Sequence, residues 1–187
     1  MTDIAGIEAP SAKTLTMDWE GFFKNYRKPD FIPGYTILNK LGGGVFGDVY
    51  KARKTSIGKF YAIKFLKIQD ERLSEQVLRE LQTVDHFAQV DHPNLVSIED
   101  RGEAGIPFIV MGYAGDETLK VALRHGPMPT ERALFLFRQM LRGVKALHQH
   151  AIIHFDLKPA NVFIKGEVAR IGDYGLSKLM TESRATL

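Results

Sequence analysis

The order of strand-like and helix-like segments limits what this chain can fold into more than any other feature of its sequence. Four segments are strand-like, namely YTILNKL, DVYKARK, KFYAIKFLK and PFIVM, and a fifth strand follows the HPNLV segment. A helical period covers residues 71–88, between the third strand and the later ones, and a long helix comes after the last of them. This order predicts an α+β fold in which a small sheet lobe precedes a helical lobe.

The third strand segment, KFYAIKFLK, alternates with period two. Its alternation gives one face made of Phe60, Ala62, Lys64 and Leu66, and another made of Tyr61, Ile63 and Phe65. The helical segment that follows carries an apolar stripe of Leu73, Val77, Leu81 and Val84. We expect that stripe to pack against the sheet.

The long helix is predicted to begin at Pro129–Thr130 and to end near Gln149. Thr130 is the expected N-cap, because its hydroxyl can accept a hydrogen bond from a free backbone N–H of the first turn. The apolar residues at helical spacing predict a buried stripe of Ala133, Phe137, Met140, Leu141, Val144 and Leu147.

Residues 1–33 read as an N-terminal extension with three prolines and little periodicity. Its segment DWEGFFKNY predicts one short helix with an aromatic side made of Trp19, Phe22, Phe23 and Tyr26. We expect this side to dock on the following domain as extra core, with binding of a partner as the alternative.

The composition excludes several classes of protein. With no cysteine among 187 residues, neither a disulfide scaffold nor a thiolate metal site is possible, which fits a cytoplasmic protein. No apolar run approaches the roughly 18 residues of a membrane helix, and the N-terminus lacks the pattern of a signal peptide. The net charge of +3 comes from scattered basic residues, so we expect neither a nucleic-acid partner nor a membrane partner.

A glycine cluster, GGGVFGDV, joins the first two strands. Gly42, Gly44, Gly47 and Val49 fit the pattern G-x-G-x-x-G-x-V, in which backbone N–H groups can approach phosphate oxygens closely. A tight hairpin would use the same glycines, so both interpretations stay open for the cluster alone. Its place between two strands disfavours a dinucleotide-binding fingerprint, and no G-K-[ST] follows that would indicate a Walker loop.

Lys64 is a charged residue on an otherwise apolar strand face. A buried lone charge is very costly, so an inward lysine requires an anionic partner. Glu80 lies on the apolar stripe of the next helix and can supply that partner. The alternative is that Lys64 extends its ammonium to solvent and that Glu80 lies at the edge of the stripe.

The segment IIHFDLKPANVF places His154, Asp156, Lys158 and Asn161 in a loop just after the long helix. In this loop Asp156 can accept a hydroxyl proton, Lys158 can neutralise a phosphoryl group and Asn161 can bind a metal through its amide oxygen. Further along, Asp173 stands in a glycine-flanked turn, GDYG, as a ligand suited to Mg²⁺.

Taken in this order, the motifs of about residues 35–187 resemble those of the protein kinase family. YAIK looks like V-A-I-K, HFDLKPAN looks like H-R-D-x-K-x-x-N, and DYG looks like D-F-G. The D-L-K-P-x-N motif is similar to that of serine/threonine kinases. The resemblance implies two lobes, with ATP and Mg²⁺ in the cleft between them and a protein substrate that offers a serine or threonine hydroxyl.

The resemblance also implies a role for individual residues. Asp156 is the catalytic base, Lys158 and Lys64 act on the phosphates, and Asn161 and Asp173 hold the metal. Residues implied at the nucleotide are Leu41, Gly42, Gly43, Gly44, Val45, Phe46, Gly47, Val49, Ala62, Lys64, Glu80, Met111, Gly112, Ala114 and Phe163. Asp116 or Glu117 is expected at the ribose, and His154 is expected to be structural, in a spine with Val84, Ile98 and Tyr174.

The implied domain runs over residues 34–187, with a sheet lobe over about 34–111, a hinge over about 112–115 and a partial helical lobe from about 116. Three residues depart from the family pattern or fit it loosely. Phe155 replaces the usual arginine, so we expect no switch by a phosphate on the activation loop. Tyr174 replaces phenylalanine, and the spacing after Glu80 is long, which makes its pairing with Lys64 less secure.

No A-P-E motif and no later helices follow the D-Y-G segment. We therefore expect a kinase domain that is incomplete at its C-terminus and marginally stable or prone to aggregation by itself. The leading interpretation is a serine/threonine protein kinase of which this chain is a fragment. One alternative is a catalytically idle, nucleotide-binding regulatory module, and another is a small-molecule kinase of related fold.

Overall fold

The computed structural model describes residues 19–28, 30–44, 47–66, 84–173 and 178–179. The strands within these ranges are β1 (Tyr35–Gly44), β2 (Gly47–Lys54), β3 (Phe60–Leu66), β4 (Ile98–Glu103), β5 (Pro107–Gly112), β6 (Glu117–Thr118), β7 (Ile152–Ile153), β8 (Val162–Lys165), β9 (Val168–Ile171) and β10 (Lys178–Leu179). The helices bounded there are α1 (Trp19–Asn25), α2 (Leu119–Ala122) and α3 (Thr130–Gln149), with 3₁₀ turns at Leu123–His125 and Pro159–Asn161.

Strands β1 to β5 form one antiparallel sheet in the order β1-β2-β3-β5-β4. The first two strands make the predicted hairpin, with Gly44 opposite Gly47 at its closed end. A second sheet, β6-β8-β9, and the pair β7-β10 lie in the helical part of the chain. The sheet lobe followed by a helical part confirms the predicted α+β fold class.

A hydrophobic cluster packs on each face of the five-stranded sheet. One face packs into a cluster that we call the outer core, made of Phe22, Ile32, Tyr35, Ile37, Tyr50, Ala52, Tyr61, Ile63, Phe65, Ile106, Phe108 and Val110. The other packs into the inner core, made of Leu66, Val84, Phe87, Val90, Leu95, Ile98, Ile109, Leu136, Ala146, Leu147, Ile152, Val162, Ile164, Ala169 and Ile171. The inner core therefore joins the sheet to the helical part.

Helix α1 covers the outer face of the sheet. Phe22 is 1% exposed, and its ring lies 4.6 Å from that of Phe65 and 5.8 Å from that of Tyr50, centroid to centroid. The expected docking of this segment on the domain is therefore confirmed for Phe22. Phe23 does not share the buried side, because one residue is a 100° step around a helix, and it is 56% exposed.

The predicted buried stripe of α3 is wrong for three of its members. Ala133, Phe137 and Leu141 are exposed, whereas the helix buries Leu136, Gln139, Gly143, Ala146 and Leu147. The helix approaches residue 94 so closely that a Cβ on Gly143 would stand 2.8 Å from the Asn94 carbonyl oxygen. The side of α3 in closest contact therefore contains Gly143 and the polar Gln139, and a search for apolar residues at helical spacing does not find that side.

The start of α3 also differs from the prediction. Thr130 is the first helical residue and Pro129 occupies the N-cap position, without a side-chain hydrogen bond to the helix. Pro129 combines a φ of −52° with an extended ψ of 136°, so the helical conformation begins only at Thr130.

The predicted helix over residues 71–88 lies largely outside the described residues, with Leu73, Val77 and Leu81 among those not described. Residues 84–87 are helical, and Val84 is buried in the inner core as expected. In the described ranges no helix is both long and apolar enough to span a membrane.

Replacement of Phe22 by alanine tests the docking of α1. We expect Phe22→Ala to lower the free energy of unfolding by about 3–5 kcal/mol, because it leaves a cavity between Tyr50 and Phe65. Phe23→Ala is the matched control on the same helix, with an expected change within about 0.5 kcal/mol. Urea denaturation measures both, and equal losses would show that α1 does not pack through Phe22.

Candidate active site

A cavity of about 870 Å³ lies between the five-stranded sheet and the helical part of the chain. It brings together most of the predicted site residues, namely Leu41, Gly42, Gly43, Gly44, Gly47, Val49, Ala62, Lys64, Met111, Gly112, Ala114, Asp156, Lys158, Asn161, Phe163 and Asp173. Val45, Phe46 and Glu80 lie outside the described residues. Of the two acids predicted at the ribose, Asp116 lines the cavity and Glu117 does not.

The β1–β2 hairpin forms one wall of the cavity, and close contacts leave no room for a side chain at two of its glycines. A Cβ on Gly43 would overlap the Asp48 carboxylate, and a Cβ on Gly47 would overlap the carbonyl oxygen of Phe65. Asp48 is only 2% exposed and forms an ion pair with Lys40, in which Oδ2 lies 2.9 Å from the lysine Nζ. The hydrogen bond to Asp48 raises the pKa of the Lys40 ammonium, so the pair holds both strands near the end of the hairpin.

Lys64 reaches the cavity from the inner face of β3, as the alternation of that strand predicts. It is 8% exposed, and its Nζ lies 3.3 Å from Oδ1 of Asp173. This contact links the sheet to the D-Y-G segment, 109 residues later in the chain. A lysine at this depth requires an anionic neighbour, and Asp173 is one. The predicted pairing with Glu80 concerns a residue outside the described part of the chain.

Asp156 is the centre of a hydrogen-bonded group in the loop after β7. Its Oδ2 accepts hydrogen bonds from Lys158 Nζ at 2.6 Å and from Asn161 Nδ2 at 3.1 Å. The Lys158 hydrogen bond, followed by that of Asn161, lowers the pKa of the Asp156 carboxyl below its ordinary value despite the opposing effect of burial. Asp156 is therefore ionised at neutral pH and directed at the open cavity.

His154 is a structural residue of the same loop, as the resemblance implies. It is 5% exposed, and its Nδ1 accepts a hydrogen bond from the Asp156 N–H at 3.3 Å. The neutral ring therefore carries its proton on Nε2, which donates to the Gly172 carbonyl oxygen at 3.0 Å. This side chain joins the Asp156 loop to the residue before Asp173.

Asn161 and Asp173 present oxygen atoms of the kind that Mg²⁺ binds. The amide nitrogen of Asn161 donates to the backbone oxygen of Asp156 at 2.9 Å as well as to its carboxylate, which leaves Oδ1 for a cation. Asp173 adopts a positive φ of 60° and is partly exposed to the cavity. Among the described residues, no group of three or more His, Cys, Asp or Glu side chains is placed so that it could hold a metal ion. The amide oxygen of Asn161 and the carboxylate of Asp173 are donors that suit a hard cation with further water and phosphate ligands.

A buried polar network, which the sequence patterns did not indicate, joins residue 94 and α3 to the β8–β9 hairpin. Asn94 donates to Gln139 Oε1 at 2.9 Å and to the Ala169 carbonyl at 3.0 Å. Gln139 in turn donates to the Glu167 carbonyl at 2.7 Å and accepts from the Ala169 N–H at 3.0 Å. The predicted buried stripe of α3 did not include Gln139, so no local sequence pattern marked this residue as inward-facing.

Phe155 has a positive φ of 59° and is 56% exposed beside Asp156. Its ring carries no charge, so this position offers no guanidinium to a phosphate. Tyr174 and the rest of the segment through residue 177 lie outside the described residues. The expectation that no activation-loop phosphate controls the protein therefore stays a prediction.

Two glycines of the hairpin provide a matched test of its geometry. We expect Gly47→Ala to lower the free energy of unfolding by about 1–3 kcal/mol, because the new methyl group meets a backbone oxygen held by the β2–β3 pairing. Gly44→Ala meets no atom within 4 Å and should change it by less than about 0.5 kcal/mol. Thermal unfolding compares the two, and a larger loss for Gly44→Ala would contradict the hairpin geometry.

Comparison of the sequence with those of known proteins identifies a family and several relatives. The family model named Protein kinase domain matches residues 35–186. Serine/threonine-protein kinase pkn2 of Myxococcus xanthus is 38% identical over 160 residues, which are 81% of this chain and 19% of that protein. Serine/threonine-protein kinase PrkC of Bacillus subtilis is 33% identical over 156 residues, which are 81% of this chain and 24% of that protein.

A Cyclin-dependent kinase 4 homolog of Caenorhabditis elegans is 33% identical over 165 residues, which are 82% of this chain and 41% of that protein. The chain thus spans between about a fifth and two fifths of the length of these curated relatives. The family match covers the sheet lobe, the Asp156 loop and the D-Y-G segment alike. This chain belongs to the protein kinase family.

Proposed function

We propose that this chain carries the ATP-binding and phosphoryl-transfer site of a serine/threonine protein kinase, which moves the γ-phosphoryl group of Mg²⁺-ATP to a protein hydroxyl. One observation carries the proposal: Lys64, Asp156, Lys158, Asn161 and Asp173 line a single cavity large enough for a nucleotide. Each has a part in phosphoryl transfer, and their joint placement favours an active enzyme over an idle module.

The apolar part of the cavity suits an adenine ring. Val49 and Ala62 on the sheet and Phe163 on β8 line this part, and Met111 lies on β5 just before the hinge. The Gly112 N–H donates to the Ser97 carbonyl oxygen at 2.9 Å, so we assign the hydrogen bonds to the base to the Gly112 carbonyl oxygen and the Ala114 backbone. With the base in this place, the phosphates lie along the β1–β2 hairpin and reach Lys64.

The proposed reaction needs an acceptor for one proton and positive charge near the transferred group. Asp156 accepts the hydrogen bond of the substrate hydroxyl and takes its proton as the new P–O bond forms and the bond to the β-phosphate oxygen breaks. Lys158, 2.6 Å from Asp156, then neutralises negative charge that develops on the phosphoryl oxygens.

A bound Mg²⁺ would supply positive charge that offsets the negative charge of the phosphates. Asp173 and Asn161 would hold it through their oxygen atoms, and Lys64 keeps the Asp173 carboxylate in place.

The substrate class follows from the lysine of the catalytic loop and from relatives that are named serine/threonine kinases. The proposed partner is a protein substrate with a serine or threonine hydroxyl. The proposal includes no nucleic-acid partner and no membrane partner. A cytoplasmic location completes the proposal, supported by a sequence without cysteine.

Two substitutions test the assigned roles in the complete protein. We expect Asp156→Asn to lower phosphorylation of a protein substrate at least about 100-fold, because it removes the proton acceptor, while ATP binding persists. We expect Lys64→Met to weaken both binding and transfer. Transfer of ³²P to a mixed serine/threonine protein substrate, beside calorimetric ATP titration, measures the two quantities.

Lys145 is an exposed lysine on α3 outside the cavity. The Lys145→Met variant is therefore the control and should behave as wild type. Unchanged transfer by Asp156→Asn would refute its assignment as the base. If wild type binds ATP without transfer to any substrate, the idle regulatory module is correct, and transfer to a small alcohol but never to protein would indicate a small-molecule kinase.

The pH dependence of transfer tests the coupling of Asp156 to Lys158. Lys158 lowers the pKa of the Asp156 carboxyl below its ordinary value of 3.8. The carboxylate is therefore fully ionised above pH 3.8 and becomes protonated only when the pH falls through the lower pKa of the folded protein. Lys158→Met should therefore raise that pKa and move the acid limb of kcat/KM to higher pH, besides lowering the rate. The pH profile measures this, and an acid limb that stays in place or moves to lower pH would contradict the coupling.

A further inference from the structure

Lys51 makes four contacts that no catalytic role explains. It stands on β2, and its Nζ lies 4.2 Å from the ring centroid of Tyr113 and 5.0 Å from that of Phe60. The same ammonium donates to the Tyr113 hydroxyl at 3.0 Å and lies 3.8 Å from the Asp116 carboxylate. Its side chain is only 20% exposed, so the charge is held in one place by two rings, a hydroxyl and a carboxylate.

These contacts cross the edge of the nucleotide cavity. Val49, two residues before Lys51 on the same face of β2, lines the cavity from the sheet side. Tyr113 and Asp116 line it from the hinge and just beyond. Strand β2 is hydrogen-bonded to β1 and β3 but not to β5, from which the hinge continues. Lys51 therefore connects the sheet side of the cavity to the hinge where no backbone pairing does.

We propose that Lys51 is a positioning residue for the nucleotide, a clasp that holds β2 against Tyr113 and Asp116 at the mouth of the cavity. The inference rests on the proposed function, since it assigns the clasp to ATP binding. Its loss lets the β1–β2 hairpin move away from the hinge, and the bound nucleotide dissociates faster. The reacting groups lie at Asp156 and Asp173, outside the clasp, so the transfer step itself is unaffected.

The electrostatics of the clasp support the same role. The hydrogen bond to Tyr113 raises the pKa of the Lys51 ammonium, which keeps it charged at neutral pH. Burial raises the pKa of the Tyr113 hydroxyl, which stays a neutral acceptor. Asp116, although 70% exposed, would otherwise present an uncompensated negative charge to a polyanionic nucleotide, and the nearby ammonium offsets it.

The chain provides a matched control for the charge. Lys54 lies on the same strand, and its Nζ is 5.7 Å from the Tyr35 ring and 5.9 Å from the Tyr61 ring. It does not line the cavity. Lys54→Met therefore removes a cation from two aromatic rings of the same lobe without touching the hinge.

The experiment compares Lys51→Met with Lys54→Met in the complete protein. We expect Lys51→Met to raise the Kd for Mg²⁺-ATP, measured by calorimetry, and the KM for ATP by about 3- to 10-fold, with kcat at saturating ATP changed less than 2-fold. Lys54→Met should leave all three constants unchanged. Lys51→Arg, which keeps the charge and stacks on the rings, should restore most of the affinity.

A milder variant keeps the test decisive should Lys51→Met fail to fold. Tyr113→Phe retains the ring and removes the hydroxyl that accepts the 3.0 Å hydrogen bond from Lys51, so we expect this single variant to give a smaller rise in Kd. Where Lys51→Met folds, the double variant should be non-additive. Equal effects of Lys51→Met and Lys54→Met, a fall in kcat as large as the loss of affinity, or an unchanged Kd would each overturn the clasp. Wild type that binds no ATP would instead refute the proposed function, and the clasp with it.

Discussion

The contact between Lys64 and Asp173 is the interaction on which the candidate site depends. It brings an ammonium that is 8% exposed within 3.3 Å of a carboxylate 109 residues away in the sequence. A lysine can occupy the inner face of a sheet only beside a negative charge, so the position of β3 and that of the D-Y-G segment constrain each other. The cavity exists because this contact, together with the inner core, keeps the sheet and the Asp156 loop facing each other.

Below this contact, the loop that carries Asp156 is held by groups that do no chemistry themselves. His154 connects the Asp156 N–H to the Gly172 carbonyl, and the Asn94–Gln139 network connects α3 to β9. The Asn94–Gln139, Ala169–Gln139 and His154–Gly172 hydrogen bonds are buried, so the loss of one partner would leave a desolvated polar atom. Asp156 and Asn161 are held together directly by two hydrogen bonds of 2.9 and 3.1 Å.

Above the cavity, two features outside the family motifs hold the hairpin in place. Helix α1 packs Phe22 between β2 and β3 on the outer face, and Lys51 joins β2 to the hinge on the cavity side. Both act on the same strand, from opposite faces of the sheet. The glycine-rich hairpin is therefore supported by side chains, while its own glycines leave room for close backbone contacts.

By itself, the sequence determined the features that depend on local pattern: the alternation that turns Lys64 inward, the order of strands and helices, and the grouping of Asp156, Lys158 and Asn161 within one loop. Only the tertiary structure decided which side of α3 is buried, how Asn94 meets Gln139, and that Lys51 reaches Tyr113. Periodicity shows which residues are apolar, but the burial of a face depends on how closely another segment approaches it. At Gly143 that approach admits no Cβ, so the buried side contains a glycine and a glutamine while Phe137 remains exposed.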